Sequence, residues 1–237
     1  MSRAAPNGPI PLTLAVIPAR AGMALWERLE SERHVRMFQH GWSHANHAPE
    51  GERTMELGAH RPTRIVMEEL DKGRDNMELV GSWQFLPVVV PPWNRIDPKI
   101  VRQLFRCGFD GLSGSGPRPW PDRRRKSPAD RIGIVNVHID IFRWRPRARF
   151  IGTGAALGQA VAHLTARRLG TVDPDEPTGL MTHHLQHDAG CWRFIERFLS
   201  VTATHPAGRW LSAEDLFWPA WEPPLQSSDW TRPLVPE

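Results

Sequence analysis

The sequence predicts an α/β fold with mainly parallel strands, wound as a complete or incomplete (β/α) barrel. Three observations carry this expectation. Short apolar runs rich in strand-forming residues alternate with helix-periodic segments through most of the 237 residues. No Gly-rich phosphate fingerprint follows any of the runs, which sets aside a dinucleotide-binding sheet. The chemically rich segments fall at the ends of predicted strands, where parallel barrels carry their functional side chains.

The elements follow in order. "LTLAVIP" (12–18) is an apolar run closed by proline and reads as a buried strand. "MALWERLESE" (23–32) places Leu25, Trp26 and Leu29 on one helical face, and "HVRMFQH" (34–40) is a second strand. "PTRIVMEELDKGRDNMELV" (62–80) is a helix opened by proline, with Gly73 against it, and "FLPVVVP" (85–91) is a third strand. "DPKIVRQLFRCG" (97–108) has Asp at the cap, Pro at N1 and Gly at the end, and so reads as one helix. "FDGLS" (109–113) and "IGIVNVHID" (132–140) read as strands, and "GAALGQAVAHLTARRLG" (154–170) as a helix. "TGLMTHH" (178–184) is a strand, and "DAGCWRFIERFLSVTATH" (188–205) a helix. "RWLSAEDLF" (209–217) is a short strand entering a helix capped by Ser212. Residues 1–217 are expected to form a single domain, and 218–237 a Pro-rich C-terminal tail.

Composition narrows the function classes. The formal charge is +4, carried almost wholly by arginine. The run Arg118–Lys126 lies in a Pro/Gly/Ser-rich stretch and reads as a solvated loop, so no nucleic-acid partner is expected. Two cysteines, Cys107 and Cys191, have no CxxC spacing and read as free thiols. The N-terminal stretch lacks a long apolar signal region, and no run of about 18 apolar residues spans a membrane. A cytoplasmic location is the expectation.

Histidines gather in two places. "FQHGWSHANHAPE" (38–50) holds His40, His44 and His47, and "GLMTHHLQHD" (179–188) holds His183, His184 and His187. Neutral imidazole is the commonest metal ligand and an acid or base near neutral pH. A four-residue separation lets His40 and His44 grip one ion from a helical turn. Catalytic zinc usually takes three protein ligands, so His47, Asp140, Asp188 or another residue must supply the third. His183 or His184 suits a general acid. Trp42, Trp93 and Trp144 lie near these clusters and offer faces for sugar rings. Asn94 and Arg95, just past "PPW", suit a carboxylate or oxyanion, or else a Pro-rich turn.

These residues resemble a known family. "HGWSH" (40–44) looks like the metal-binding H-[ST]-x-x-H motif of polysaccharide deacetylases, carbohydrate esterases that include chitooligosaccharide and peptidoglycan deacetylases. "VVPPWN" (89–94) is similar to the family's R-x-P-[YF] motif, with Trp93 in the aromatic slot. "NVHIDIFRW" (136–144) falls where the family has its Asp-and-Trp segment, and "GLMTHH" (179–184) resembles the strand ending in its catalytic histidine. The resemblance implies an incomplete (β/α) barrel and a divalent metal, usually zinc, held by His40 and His44 with one aspartate. It implies hydrolysis of an N- or O-acetyl group on a sugar, with His183 as general acid and Trp93, Asn94, Arg95 and Trp144 along the substrate groove.

The pattern departs from the family at three points. The family opens on a strand ending in two aspartates, one the base and one a metal ligand, whereas the first aspartate here is Asp71. A late start or the loss of a first βα unit would account for this. The arginine of the third motif aligns with Val90, with Arg95 displaced from it. Gly41 stands where Ser or Thr is usual, and His47 is an extra. Weak or absent activity is therefore expected, with a non-catalytic metal- or sugar-binding protein as the alternative. A barrel without its first strand would expose a sheet edge that a homodimer or the Pro-rich tail would cover.

Overall fold

The structure, a computed structural model, describes residues 8–119 and 132–218. The proposed tail beyond Trp218 and most of the arginine run therefore lie outside the described residues. Five strands form a parallel sheet in sequential order: β1 (Leu12–Val16), β2 (Val35–Gln39), β3 (Phe85–Val89), β4 (Gly111–Leu112) and β5 (Gly133–Ile134). A single bridge, Ser115 to Val137, extends the parallel run. Beyond it β6 (Ile139–Asp140) pairs in parallel with β9 (Leu180–Met181). A small antiparallel pair, β7 (Phe142–Arg143) with β8 (Arg149–Phe150), was not foreseen in the sequence. The α/β class and mainly parallel pairing are as expected. Within the sheet β1 pairs only with β2 and forms its edge.

Strand β2 shows how alternation builds the layers. Met37 and Gln39 face α2 (Thr63–Gly81), where Gln39 Nε2 donates to Leu70 O at 3.0 Å. Arg36 and Phe38 face α6 (Ala213–Phe217): Arg36 pairs with Glu214, and Phe38 meets Phe217 edge-on at 5.4 Å. Gly73 sits in the middle of α2 because a Cβ there would stand 2.3 Å from Gln39 Nε2. Its cost in helix propensity is offset by the close seat of helix on sheet. Val66, Leu70, Val89, Ile100, Leu104 and Phe109 form one core between α2 and the sheet. A second core joins Ile139, Ile141 and Phe142 to Ala156 and Ala160 of α4 (Thr153–Leu169) and to Cys191 and Phe194 of α5 (Ala189–Thr202). Each large apolar side chain so buried contributes roughly 1.5–3 kcal/mol.

Three expectations are corrected. The helix over 97–108 is a single turn, α3 (Pro98–Val101), followed by a 3-10 turn at Leu104–Cys107. Its punctuation is right: Asp97 caps Lys99 N, and Gly108 closes in the left-handed region. The run 132–140 is two strands in different sheets. Asn136 separates them, its Oδ1 taking the Gly114 N–H at 2.8 Å where a ladder carbonyl would stand. No strand forms at 209–211, although Ser212 caps α6 in a reciprocal capping box with Asp215. Cys107 and Cys191 are free, as expected, and Cys191 is buried. Helix α1 (Met23–Leu29) completes the order by burying Trp26. Among the described residues no helix is long and apolar enough to cross a membrane.

Candidate active site

The strand ends bring the two histidine groups toward one another. His40 follows β2, and its backbone N–H donates to Val16 O at 2.7 Å, continuing the ladder to β1. Its ring is fixed by Nδ1, 2.9 Å from Val90 O. A carbonyl only accepts, so Nδ1 carries the proton and Nε2 presents a lone pair. Burial pulls the His40 pKa below the ordinary histidine value, with the nearby His44 and His183 adding to the depression. The ring is thus neutral and competent as a ligand at neutral pH. The His44 ring lies 5.0 Å from it, centroid to centroid, and Trp93 stands 4.2 Å beyond His44.

The backbone of this rim is wound tightly. His44, Trp93 and Asn94 have φ of 58°, 53° and 57°. They are the only non-glycine residues with positive φ among the described residues. Each costs about 1 kcal/mol or more in local conformation, and such positions concentrate at functional sites.

His183 follows β9 and faces Asp140, with its Nε2 3.2 Å from Oδ1. Since the carboxylate accepts, Nε2 carries the proton and Nδ1 is left to exchange one. Asp140 is itself held, because Oδ1 also takes Phe142 N at 2.9 Å. Gln159 of α4 brackets its backbone, accepting from Asp140 N at 2.8 Å and donating to Asp140 O at 3.2 Å. Trp144 stands edge-on to His183 at 5.1 Å and is 53% exposed. Two tryptophans therefore flank the two histidine groups, Trp93 against His44 and Trp144 against His183.

The other candidates are held by protein neighbours. Asn94 accepts from Ser115 N at 2.8 Å and donates to Ser115 Oγ at 3.2 Å, joining the loops after β3 and β4. Arg95 donates through Nη1 to Thr54 O at 2.7 Å and to Thr54 Oγ1 at 2.9 Å. His47 is set in a loop by its N–H to Met55 O. His187 packs edge-on to Trp192 at 4.7 Å, and burial lowers its pKa. Arg118 is paired with Asp173 at 2.7 Å. Glu56, wholly buried beneath the His40–His44 loop, had no signal in the sequence.

His138 is not at a strand end. It precedes β6, and its side chain is buried under α4 with those of His163 and Glu176. Ligand atoms of these three lie within 4.8 Å of one another, a spacing that would admit an ion, and no other such group of three exists among the described residues. Two features work against a ligand geometry. The imidazoles are stacked 3.4 Å apart at 15°, so their in-plane lone pairs run side by side. His138 Nδ1 accepts the Gly179 N–H at 3.2 Å, which leaves the proton on Nε2, 3.5 Å from Glu176 Oε2. Burial lowers both histidine pKa values to about 4.

At the rim, the imidazoles of His40 and His44 suit a divalent ion, but among the described residues no carboxylate joins them as a third ligand: Asp140 is bound to His183, and Glu56 to backbone amides. The hollow between α2 and Gln103–Cys107 lies away from both histidine groups.

No family profile matches the chain, and no curated protein matches its sequence. A similar solved structure is a Mycobacterium smegmatis protein provisionally named a polysaccharide deacetylase. It has a TM-score of 0.59 and 15% identity, with 86% of this chain and 69% of that one covered. The chain shares the fold of that structure, a deacetylase-like (β/α) architecture.

Proposed function

We propose that the chain is a metal-dependent hydrolase of the polysaccharide-deacetylase type, acting on acetyl groups of an N-acetylated or O-acetylated sugar. The observation that carries this reading is the approach of two unlike histidines from the ends of β2 and β9, near enough for His183 to act electrostatically on His40. His40 offers a free Nε2 lone pair, and His183 offers a ring oriented by Asp140. His40 and His44 would hold the ion, for which zinc suits the imidazole donors. When bound, that ion supplies a Lewis acid and acidifies water. His183, its Nε2–H held by Asp140, would deliver a proton from Nδ1 to the leaving nitrogen or oxygen. Trp93 and Trp144 would receive the faces of the sugar.

A second reading has its own support. The nearby carboxylate of Glu56 is taken up by the loop amides and that of Asp140 by His183, so a non-catalytic metal- or sugar-binding protein fits the same pocket. One experiment separates the two. Acetate release from acetylated chito-oligosaccharides is followed with the zinc-loaded chain and with His183→Ala. Slow turnover that His183→Ala abolishes supports the hydrolase. Zinc bound at His40 and His44 without any acetate release supports the binder. Turnover as fast as that of an enzyme with the full aspartate pair would overturn the expectation of impairment.

A further inference from the structure

We infer that Glu56 is the positioning residue of the metal-binding loop: its carboxylate holds residues 41–45 in the shape that lays His44 beside His40. The inference rests on the reading of His40 and His44 as the metal pair. Glu56 is wholly buried, and a carboxylate removed from water is tolerated only where donors replace the lost hydration. Here the donors are the loop itself. Oε1 accepts from Ser43 N at 2.8 Å, Ser43 Oγ at 3.2 Å and Ala45 N at 3.5 Å, while Oε2 accepts from Trp42 N at 3.3 Å. Three amides within four residues converge on one anion, an arrangement of the nest type.

The same contact explains Gly41. A Cβ there would stand 1.9 Å from Glu56 Oε2 and 2.7 Å from Pro92 Cγ, at a φ of 61°. No serine or threonine fits while Glu56 is in place. The space that a loop hydroxyl would occupy is filled by a carboxylate from another segment. That segment is anchored in turn by Arg95, which grips Thr54 two residues before Glu56. Glu56 also acts electrostatically on His40, favouring its charged form and so opposing the effect of burial.

The test uses the full chain and zinc alone as the probe. Glu56→Gln keeps the size but turns an NH2 group toward N–H donors. It is expected to weaken zinc binding about tenfold or more by calorimetry. It should also speed amide hydrogen exchange at Trp42 and Ser43 in metal-free protein, while unfolding stays cooperative. Should Glu56→Gln not fold, Arg95→Met, which releases Thr54, is read by the same two measurements. Wild-type zinc affinity together with wild-type exchange in the variant would overturn the inference. His40→Ala is the control for the underlying reading. If it leaves zinc binding intact, the metal pair falls and the Glu56 claim on affinity with it. If it abolishes binding while Glu56→Gln does not, only the Glu56 inference falls.

Discussion

The rim pair His40 and His44 and the buried pair His138 and His163 use the same side chain for opposite purposes, and Nδ1 decides which. At the rim, His40 Nδ1 donates to the Val90 carbonyl and frees Nε2 to accept. Under α4, His138 Nδ1 accepts from the Gly179 amide and keeps its proton on Nε2, aimed at Glu176. The rim rings lie 5.0 Å apart and tilted by 51°, whereas the buried rings are stacked at 3.4 Å and 15°. Spacing alone selects the buried group as a metal site. The hydrogen bond on the far nitrogen favours the rim. A cluster of histidines is thus better judged by what its other nitrogens touch than by how closely it is packed.

The comparison breaks most directly on metal affinity. His40→Ala or His44→Ala should lower zinc affinity by about a hundredfold or more, and His138→Gln should leave it unchanged, by calorimetry and metal analysis. The reverse pattern would move the metal to the buried group. Next in size, His183→Ala should reduce kcat about a hundredfold with zinc occupancy unchanged, and Asp140→Asn should lower it less. A parallel loss of zinc would make His183 a ligand instead of an acid. Gly41→Ala forces a Cβ against Glu56 in a left-handed backbone and should cost about 2–3 kcal/mol in denaturant unfolding.

The buried group should reveal itself through pH. Folding lowers the pKa of His138 and His163 from the ordinary 6.5 to about 4. The unfolded chain then binds more protons between those values. Their contribution to stability is complete above pH 6.5 and is lost as pH falls toward 4. His163→Gln should remove part of that acid slope, on the order of 2 kcal/mol, in urea titrations at successive pH values. An unchanged slope would show that these rings titrate normally. The smallest stability effect is expected at Trp144, which is half exposed: Trp144→Ala should leave stability within about 0.5 kcal/mol and raise KM for an oligosaccharide.

What the sequence made legible was local. His40 and His44 announced themselves because the pair is four residues apart, and their strand because Val35, Met37 and Phe38 give β2 a short strand-forming run. The cap at Asp97 and the stop at Gly108 were legible for the same reason, while the break between them was not, since nothing at Arg102 or Gln103 signals it. His138 was misplaced because "IGIVNVHID" has the composition of one strand, whereas the run is divided at Asn136, whose Oδ1 accepts the Gly114 N–H. Glu56, His163 and Glu176 were invisible on physical grounds. Nothing in the sequence around each marks it out, and its burial is conferred by segments distant in sequence.

The edge position of β1 ties the border of the sheet to the border of the site. Its last residue, Val16, receives the His40 N–H, and the next turn bonds Trp42 through Ala19. The edge strand is thus clamped at its upper end to both sides of Gly41, so fraying of β1 from the sheet would first loosen the backbone that carries His40 and Trp42.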